Sequence, residues 1–305
     1  MSLVVVRKYK RYSRTVNNIL DSLGAGEILE KQERIVIKPN LTTNRGPPTT
    51  TDVRCVEAIV RYCKSTSAKI IIAEGSGGCD TFKCYEELGY MDLERYGVKI
   101  VDLNNEPVRE WRKKSAYKLK KIYIPKILEN SYLISVPVLK EHNWTRVSIS
   151  LKNMIGILPG RFYNRKTTWN KAMLHTLGLD ECIVDINTCI KPDLTVVDAR
   201  LGQVGSEVNG RVPDKPFNML MGGYDPVAVD WKGAEFLHHD PYKVEYLRLA
   251  PEKGIGIRDP SEIEVDSDVE DPFRKNRSAA DRFRSYVFRK VGKNLVRVVG
   301  KEGNL

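Results

Sequence analysis

The chain has 305 residues, of which 41% are hydrophobic and 29% charged, with a formal net charge of +11. That length suits one large α/β domain or two modest ones, and the apolar fraction can bury an ordinary core, which excludes wholesale disorder. No apolar run approaches the roughly 20 residues that span a bilayer.

The N-terminus, MSLVVVRKYKRYSR, carries a short apolar patch from Leu3 to Val6 with basic residues after it. The order and length are wrong for a secretory signal, so a cytoplasmic location is expected. RIVIK at 34–38 is β-branched and reads as a buried strand. A loop rich in Pro, Gly, Asn and Thr follows, and then DVRCVEAIVRYCKS. There Val53, Val56, Ile59, Val60 and Cys63 recur near the helical period. Thr50 or Thr51 reads as the N-cap, with Asp52 in the first turn. KIIIAE at 69–74 is a second strand, GSGGCDT opens a helix through TFKCYEELGY, and VKIVDL at 98–103 is a third strand. Strands alternating with helices in this way predict an α/β fold: a mostly parallel, Rossmann-like layered sheet with flanking helices and right-handed crossovers.

A basic stretch over 109–126 comes next, and two lobes of the domain are expected to meet near 105–130. SYLISVPVL at 131–139 reads as one strand, running into a polar loop, KEHNWTRVS, and a helix near SLKNMIGILPG. LGLDECIVDINTCI (177–190) reads as a helix, DLTVVDA (193–199) as a strand and PFNMLMGG (216–223) as a strand. DPVAVDWKGAEFLHH (225–239) reads as a helix capped by Asp225, and YKVEYLRLAPEKG holds another short helix. The expected division is an α/β domain over 1–265 and an acidic-then-basic tail over 266–305.

Most of the charge belongs to that tail. Residues 274–301 hold ten Lys or Arg and one acid, Asp281, which leaves the rest of the chain near +2. Phe283, Val287, Val291, Leu295 and Val298 line one face of a basic C-terminal amphipathic helix. Such a helix docks on its own body or in a homodimer, lies on anionic lipid, or tracks nucleic-acid phosphate. A membrane-peripheral position is thus an alternative to a free cytoplasmic one. The six cysteines (55, 63, 79, 84, 182 and 189) contain no Cys-x-x-Cys pair, which argues against a zinc ribbon or ferredoxin-type cluster. Cys55 and Cys63 read as core thiols.

Four loops carry candidate chemistry. In the first, Lys38 ends a strand, Asn40 follows, and Thr50 and Thr51 open a helix. A helix start with a nearby lysine suits phosphate or carboxylate. The plainer alternative is that Asn40 satisfies loop backbone and Lys38 snorkels. In the second, Gly75, Ser76, Gly77 and Gly78 allow backbone amides to approach an anion, although a strand-to-helix turn also wants glycine. The third segment gathers Lys140, His142, Lys152, Asn153, Arg161 and His175 after one strand. Histidine supplies acid–base chemistry or a metal ligand near neutral pH, and lysine neutralises an anion or acts as a base once desolvated. The fourth is Asp198, expected to support a histidine or to ligate metal. His238 and His239, at a helix C-terminus, read as structural.

In these motifs the chain resembles the family called domain of unknown function 362. IVIKPNL (35–41), the TTTDV helix start, AEGSGG with Thr81, VPVLKEH (136–142), SLKNMIGILPG (150–160), His175, KPDLTVVDA (191–199), GGYDPVAVD (222–230) and YLRLAPEKGIG (246–256) carry the likeness over about 34–258. The resemblance implies an α/β fold and leaves the activity unassigned. Some members of that family add a ferredoxin-like cluster domain, for which this chain lacks the cysteine runs.

The leading expectation is an enzyme, of open reaction class and unassigned cofactor, acting on an anionic small molecule. His142, Lys140 and Lys152 would sit at the reacting centre. Lys38, Asn40, Thr50, Thr51, Gly75, Ser76, Gly77, Gly78, Asn153, Arg161 and Asp198 would surround the ligand. The alternatives are a binding or scaffold protein addressed by residues 274–301 to membrane, nucleic acid or a protein partner, and a metal-binding or iron–sulfur-linked redox protein. The candidate ligands for a metal are His142, His175 and Asp198.

Overall fold

The β-branched runs are apolar on both of their faces, and the computed structural model shows where each face goes. It describes residues 1–164 and 170–269; the basic amphipathic segment lies outside the described residues. In chain order the elements are β1 (Ser2–Lys8), α1 (Tyr12–Ser22), α2 (Ala25–Leu29), β2 (Arg34–Pro39), α3 (Val53–Cys63), β3 (Lys69–Glu74), α4 (Thr81–Glu87) and β4 (Lys99–Asp102). Then follow β5 (Val108–Arg112), β6 (Lys121–Pro125), β7 (Tyr132–Val136), β8 (Val138–His142), β9 (Arg146–Ser148), α5 (Ser150–Asn153), α6 (Met173–Leu177) and α7 (Leu179–Cys189). β10 (Leu194–Gln203), β11 (Met219–Gly223), α8 (Pro226–Phe236), α9 (Glu245–Leu249) and β12 (Ile263–Ser267) complete the described chain.

The main sheet runs β12-β1-β11-β10-β7-β2-β3-β4, with β8 added to β10 and β9 to β8. The block β10-β7-β2-β3-β4 is parallel, as the strand–helix alternation predicts. The β1–β11 and β10–β11 pairs are antiparallel. Side chains of period two divide between two cores. Val5, Ile35, Ile37, Ile70 and Ile72 pack in the layer that holds α1 and α3. Val4, Val6, Val36, Ile71 and Ala73 pack in the layer that holds α7, α8 and α9. No helix among the described residues is long and apolar enough to cross a membrane.

The structure departs from the sequence reading in four places. The N-terminal segment is an integral strand with two helices behind it. Val4–Val6 are fully buried because β1 lies between β11 and β12. The 131–139 run is two strands with Pro137 between them, so Lys140, Glu141 and His142 stand on β8 rather than in a loop. Asp52, not Thr50 or Thr51, caps α3, accepting from the Arg54 amide at 3.0 Å. The basic stretch forms the antiparallel β5–β6 hairpin, separate from the main sheet. Buried Asp185 of α7 ties down the loop that joins the two strands of that hairpin, accepting from the amides of Tyr117, Lys118 and Leu119 at 2.7–2.8 Å. Asp225 caps α8 as expected. Cys55 and Cys63 are buried thiols, and Cys79 and Cys84 are joined by a disulfide.

Candidate functional site

Parallel strands deliver their carboxyl ends to one edge, where a doubly wound sheet places its ligands. Here Lys38 of β2 stands beside Ser135 of β7, and Glu74 of β3 beside Asp102 of β4. A cavity of about 360 Å³ opens at this edge. Its charged lining is Lys38, Lys140, Lys152, Lys171, His142 and His175 against Glu74 and Glu207. Asn40, Gly75, Gly77, Gly78 and Asn153 line it too, together with Thr42 and Thr43.

The floor is a buried ion pair. Lys38 Nζ lies 2.6 Å from Glu74 Oε2, and both side chains are almost wholly buried. The same ammonium donates to Pro39 O at 3.0 Å and Asn153 Oδ1 at 3.2 Å, so all three protons are used. Burial lowers the Lys38 pKa and the Glu74 carboxylate opposes that shift. Lys38 therefore gives the cavity a fixed charge rather than a spare donor. Gly75 and Gly156 are small because they cover this pair. A Cβ on Gly156 would fall on Glu74 Oε1 and 2.5 Å from Lys38 Nζ, and one on Gly75 would meet Gly156 O at 2.6 Å.

The remaining lysines differ in how they are held. Lys140 donates to Thr49 O at 3.0 Å and Glu207 O at 3.4 Å. Burial and the neighbouring Lys152 push it down to about 7. Lys171 donates to Gly75 O at 2.7 Å, Ser76 O at 3.2 Å and Asn104 Oδ1 at 3.5 Å, and burial lowers it to about 7 as well. Lys152 projects from α5, whose first turn is capped by buried Asp230 through the amides of Ser150 (2.7 Å) and Leu151 (3.1 Å). Burial lowers Lys152 to about 8, against the pull of Glu207 and Asp180.

His142 is held in one tautomer. Its Nδ1 accepts from the amides of Trp144 (3.1 Å) and Thr145 (3.3 Å), so a neutral ring carries its proton on Nε2. Nε2 lies 3.8 Å from Glu207 Oε1. Burial and the surrounding Lys152, His175 and Lys140 hold its pKa well below the usual histidine range. The ring is thus a neutral N–H donor, whereas sequence reasoning expected an acid–base group that changes charge near pH 7. His175 packs edge-on against Trp144 at 5.8 Å, and burial lowers its pKa also.

Several expected ligand residues serve the walls instead. Asn40 Nδ2 donates to Thr49 O, Thr50 Oγ1 to Arg45 O and Thr51 Oγ1 to Val136 O. These bonds satisfy the proline-rich loop, the plainer alternative for Asn40. The Gly75 amide donates to Glu74 Oε1 and the Ser76 amide to Thr81 Oγ1, whereas those of Gly77 and Gly78 meet no acceptor among the described residues. Arg161 donates to Asn104 O and Glu106 O, and so positions the Asn104 loop rather than the ligand. Asp198 lies apart from the cavity. It accepts from Tyr12 Oη (3.1 Å) and from the amides of Asp52 and Arg200 (both 3.2 Å), and burial raises it to about 6. Parity explains this: Leu194 and Val196 of β10 face the α1–α3 layer, and Asp198 is two residues further on. His142, His175 and Asp198 consequently form no metal-ligand cluster, and among the described residues there is no group of three potential ligands.

Among the residues missed by sequence reasoning are Glu74, Gly156, Lys171, Glu207, Thr42 and Thr43. Lys171 follows a stretch without periodicity and Glu207 stands in a glycine-rich loop, so neither carried a sequence signal. Glu141 was likewise unassigned; its buried carboxylate pairs with His239 Nε2 at 2.8 Å, which gives His239 the structural part expected of it.

Two comparisons bear on this arrangement. The chain is similar to a protein named "Thylakoid-associated protein sll1697" from Synechocystis, 24% identical over 273 residues, covering 83% of this chain and 81% of that one. The model of a family described as "Domain of unknown function (DUF362)" matches residues 35–235, which contain β2 but for its first residue, β3 to β11 and the cavity-lining residues, and the chain therefore belongs to the DUF362 family.

Proposed function

We propose that the cleft is an enzyme site for a small organic anion bearing carboxylate or phosphate, with lysines handling protons and a neutral histidine donating a hydrogen bond. The observation that carries this reading is the charge imbalance of one cavity: four lysines line it against two glutamates, one of which is paired with Lys38, and its two histidines add no counter-charge. Concentrating like charges in a low-dielectric site is costly unless an anion fills it. Lys140 and the amides of Gly77 and Gly78, which meet no acceptor among the described residues, supply donors, Lys171 adds positive charge, and His142 Nε2–H supplies a neutral donor. A thermal-shift and calorimetric panel of phosphate, oxalate, pyruvate and phosphorylated C3 acids tests the idea. An anion that fits should raise the melting temperature of the wild type and lose most of that effect in the double variant Lys140→Met, Lys171→Met. Equal stabilisation of both proteins by every anion would defeat the proposal.

A second reading draws on the relative named as thylakoid-associated. The ten basic residues in 274–301 give an electrostatic address for an anionic bilayer. Co-sedimentation with vesicles containing anionic lipid, lost on removing residues after 271 and screened by salt, is the expected result; retention without the tail would exclude it.

A further inference from the structure

Three of the four cleft lysines are engaged. Lys38 spends all its protons on Glu74, Pro39 and Asn153, and Lys140 and Lys171 each donate to two backbone carbonyls. Lys152 lines the same cavity and makes no hydrogen bond or ion pair with any described residue. Its backbone is nonetheless fixed. Asp230 caps its helical turn from α8, and the next residue, Asn153, is locked by donation to Ser135 Oγ (2.9 Å) and Lys38 O (3.3 Å). An amine with no partner among the described residues, projecting from an anchored turn into a polar cavity beside another lysine, is the arrangement of an amine nucleophile.

Resting on the anion-site reading above, we infer that Lys152 forms an imine with the carbonyl carbon of a small α-keto acid whose carboxylate is held by the other cations of the cleft. The neutral amine attacks the carbonyl carbon, forming the C–N bond as the C–O π bond opens. Proton transfer from nitrogen to oxygen gives the carbinolamine. The C–O bond then breaks, and the hydroxyl departs as water with a proton taken from the Lys140 ammonium. Lys152 is left as a protonated imine and Lys140 as a free amine, so charge and hydrogens balance and no oxidant or reductant is needed. The titration of both groups suits these parts. With Lys152 at about 8 and Lys140 at about 7, roughly a quarter of Lys152 is amine at pH 7.5 and roughly a quarter of Lys140 is still ammonium, whereas an ordinary lysine is only ~0.1% amine.

The test is reductive trapping on the full-length protein. Millimolar pyruvate or glyoxylate is added with borohydride near pH 7.5, and adducts are mapped by peptide mass spectrometry. The expected result is an adduct at Lys152 at least ~10-fold above any other lysine, absent in Lys152→Arg, and formed ~10- to 100-fold more slowly in Lys140→Met, as loss of one acid–base group predicts. Oxalate, which carries the anionic charge but no reactive ketone, serves as the binding control on the wild type. If oxalate and pyruvate stabilise the wild type but Lys152 is labelled no more than surface lysines, the nucleophile assignment is overturned while the anion site stands. If neither stabilises it and no adduct forms, both fall. Should the arginine variant not fold, the wild-type map alone still decides.

Discussion

Replacing Glu74 by Gln isolates the energetics of the cavity floor. The amide keeps the shape of the side chain and an oxygen for the Gly75 amide, now 3.0 Å from Glu74 Oε1, but it removes the charge opposite Lys38. Breaking a buried pair in this way typically costs about 3–5 kcal/mol. An independent bound comes from titration. The stranded lysine can at worst give up its proton, and holding neutral at pH 7 a group whose ordinary pKa is near 10.4 costs about 4.6 kcal/mol at about 1.36 kcal/mol per pH unit. The two figures agree. The second also fixes a pH dependence. In the variant the unfolded chain binds one more proton than the folded chain, so the deficit shrinks by up to about 1.4 kcal/mol per pH unit as pH rises towards 10. Urea denaturation at pH 7 and pH 9 measures both quantities. The double variant Lys38→Met, Glu74→Gln should lose less than the sum of the single losses, by about 2 kcal/mol or more. A cost below about 1 kcal/mol at pH 7, or one that does not change with pH, would refute this account of the floor.

Three further outcomes are expected. Lys140, Lys152 and Lys171 have folded-state values of about 7, 8 and 7, all below the ordinary lysine value. Between about pH 7 and 10 the unfolded chain therefore binds more protons, and their contribution makes the ligand-free protein more stable as pH rises. A bound anion favours the ammonium forms, so the rise in melting temperature caused by oxalate should be larger at pH 6 than at pH 9; an equal rise at both would remove these lysines from the site. Gly156→Ala should cost about 1–3 kcal/mol or more by overpacking the ion pair, while Gly77→Ala, whose Cβ meets nothing within 4 Å, should leave thermal stability almost unchanged. Nitrogen-detected NMR of His142 should show a neutral ring protonated at Nε2 at neutral pH; protonation at Nδ1 would contradict the tautomer given by the Trp144 and Thr145 amides, and titration in the ordinary histidine range would contradict the lowered pKa.

Local sequence determined the strands of the parallel block and much of the layer architecture of this protein. RIVIK, KIIIAE and DLTVVDA are β-branched and apolar on both faces, and a strand of that kind is stable only between two covered faces. The motif set likewise marked the family over the segment that forms the cleft. Parity along β10 puts Asp198 on the face of Leu194 and Val196, but that this face turns away from Lys140 depends on the register of β8 against β10, so the sequence reading set Asp198 in the site. Tertiary structure alone decided which polar groups meet. Lys38 and Glu74 are 36 positions apart, and Gly156 packs on both only because β2, β3 and β7 bring their ends to one edge. Pro137 divides an apparently single strand, which lifts Lys140 and His142 from a loop onto β8. Lys171 and Glu207 come from irregular segments, and nothing in their local pattern marks them. Their roles arise from long-range strand register and loop packing, which sum over many weak contacts and leave no signature at the residue itself.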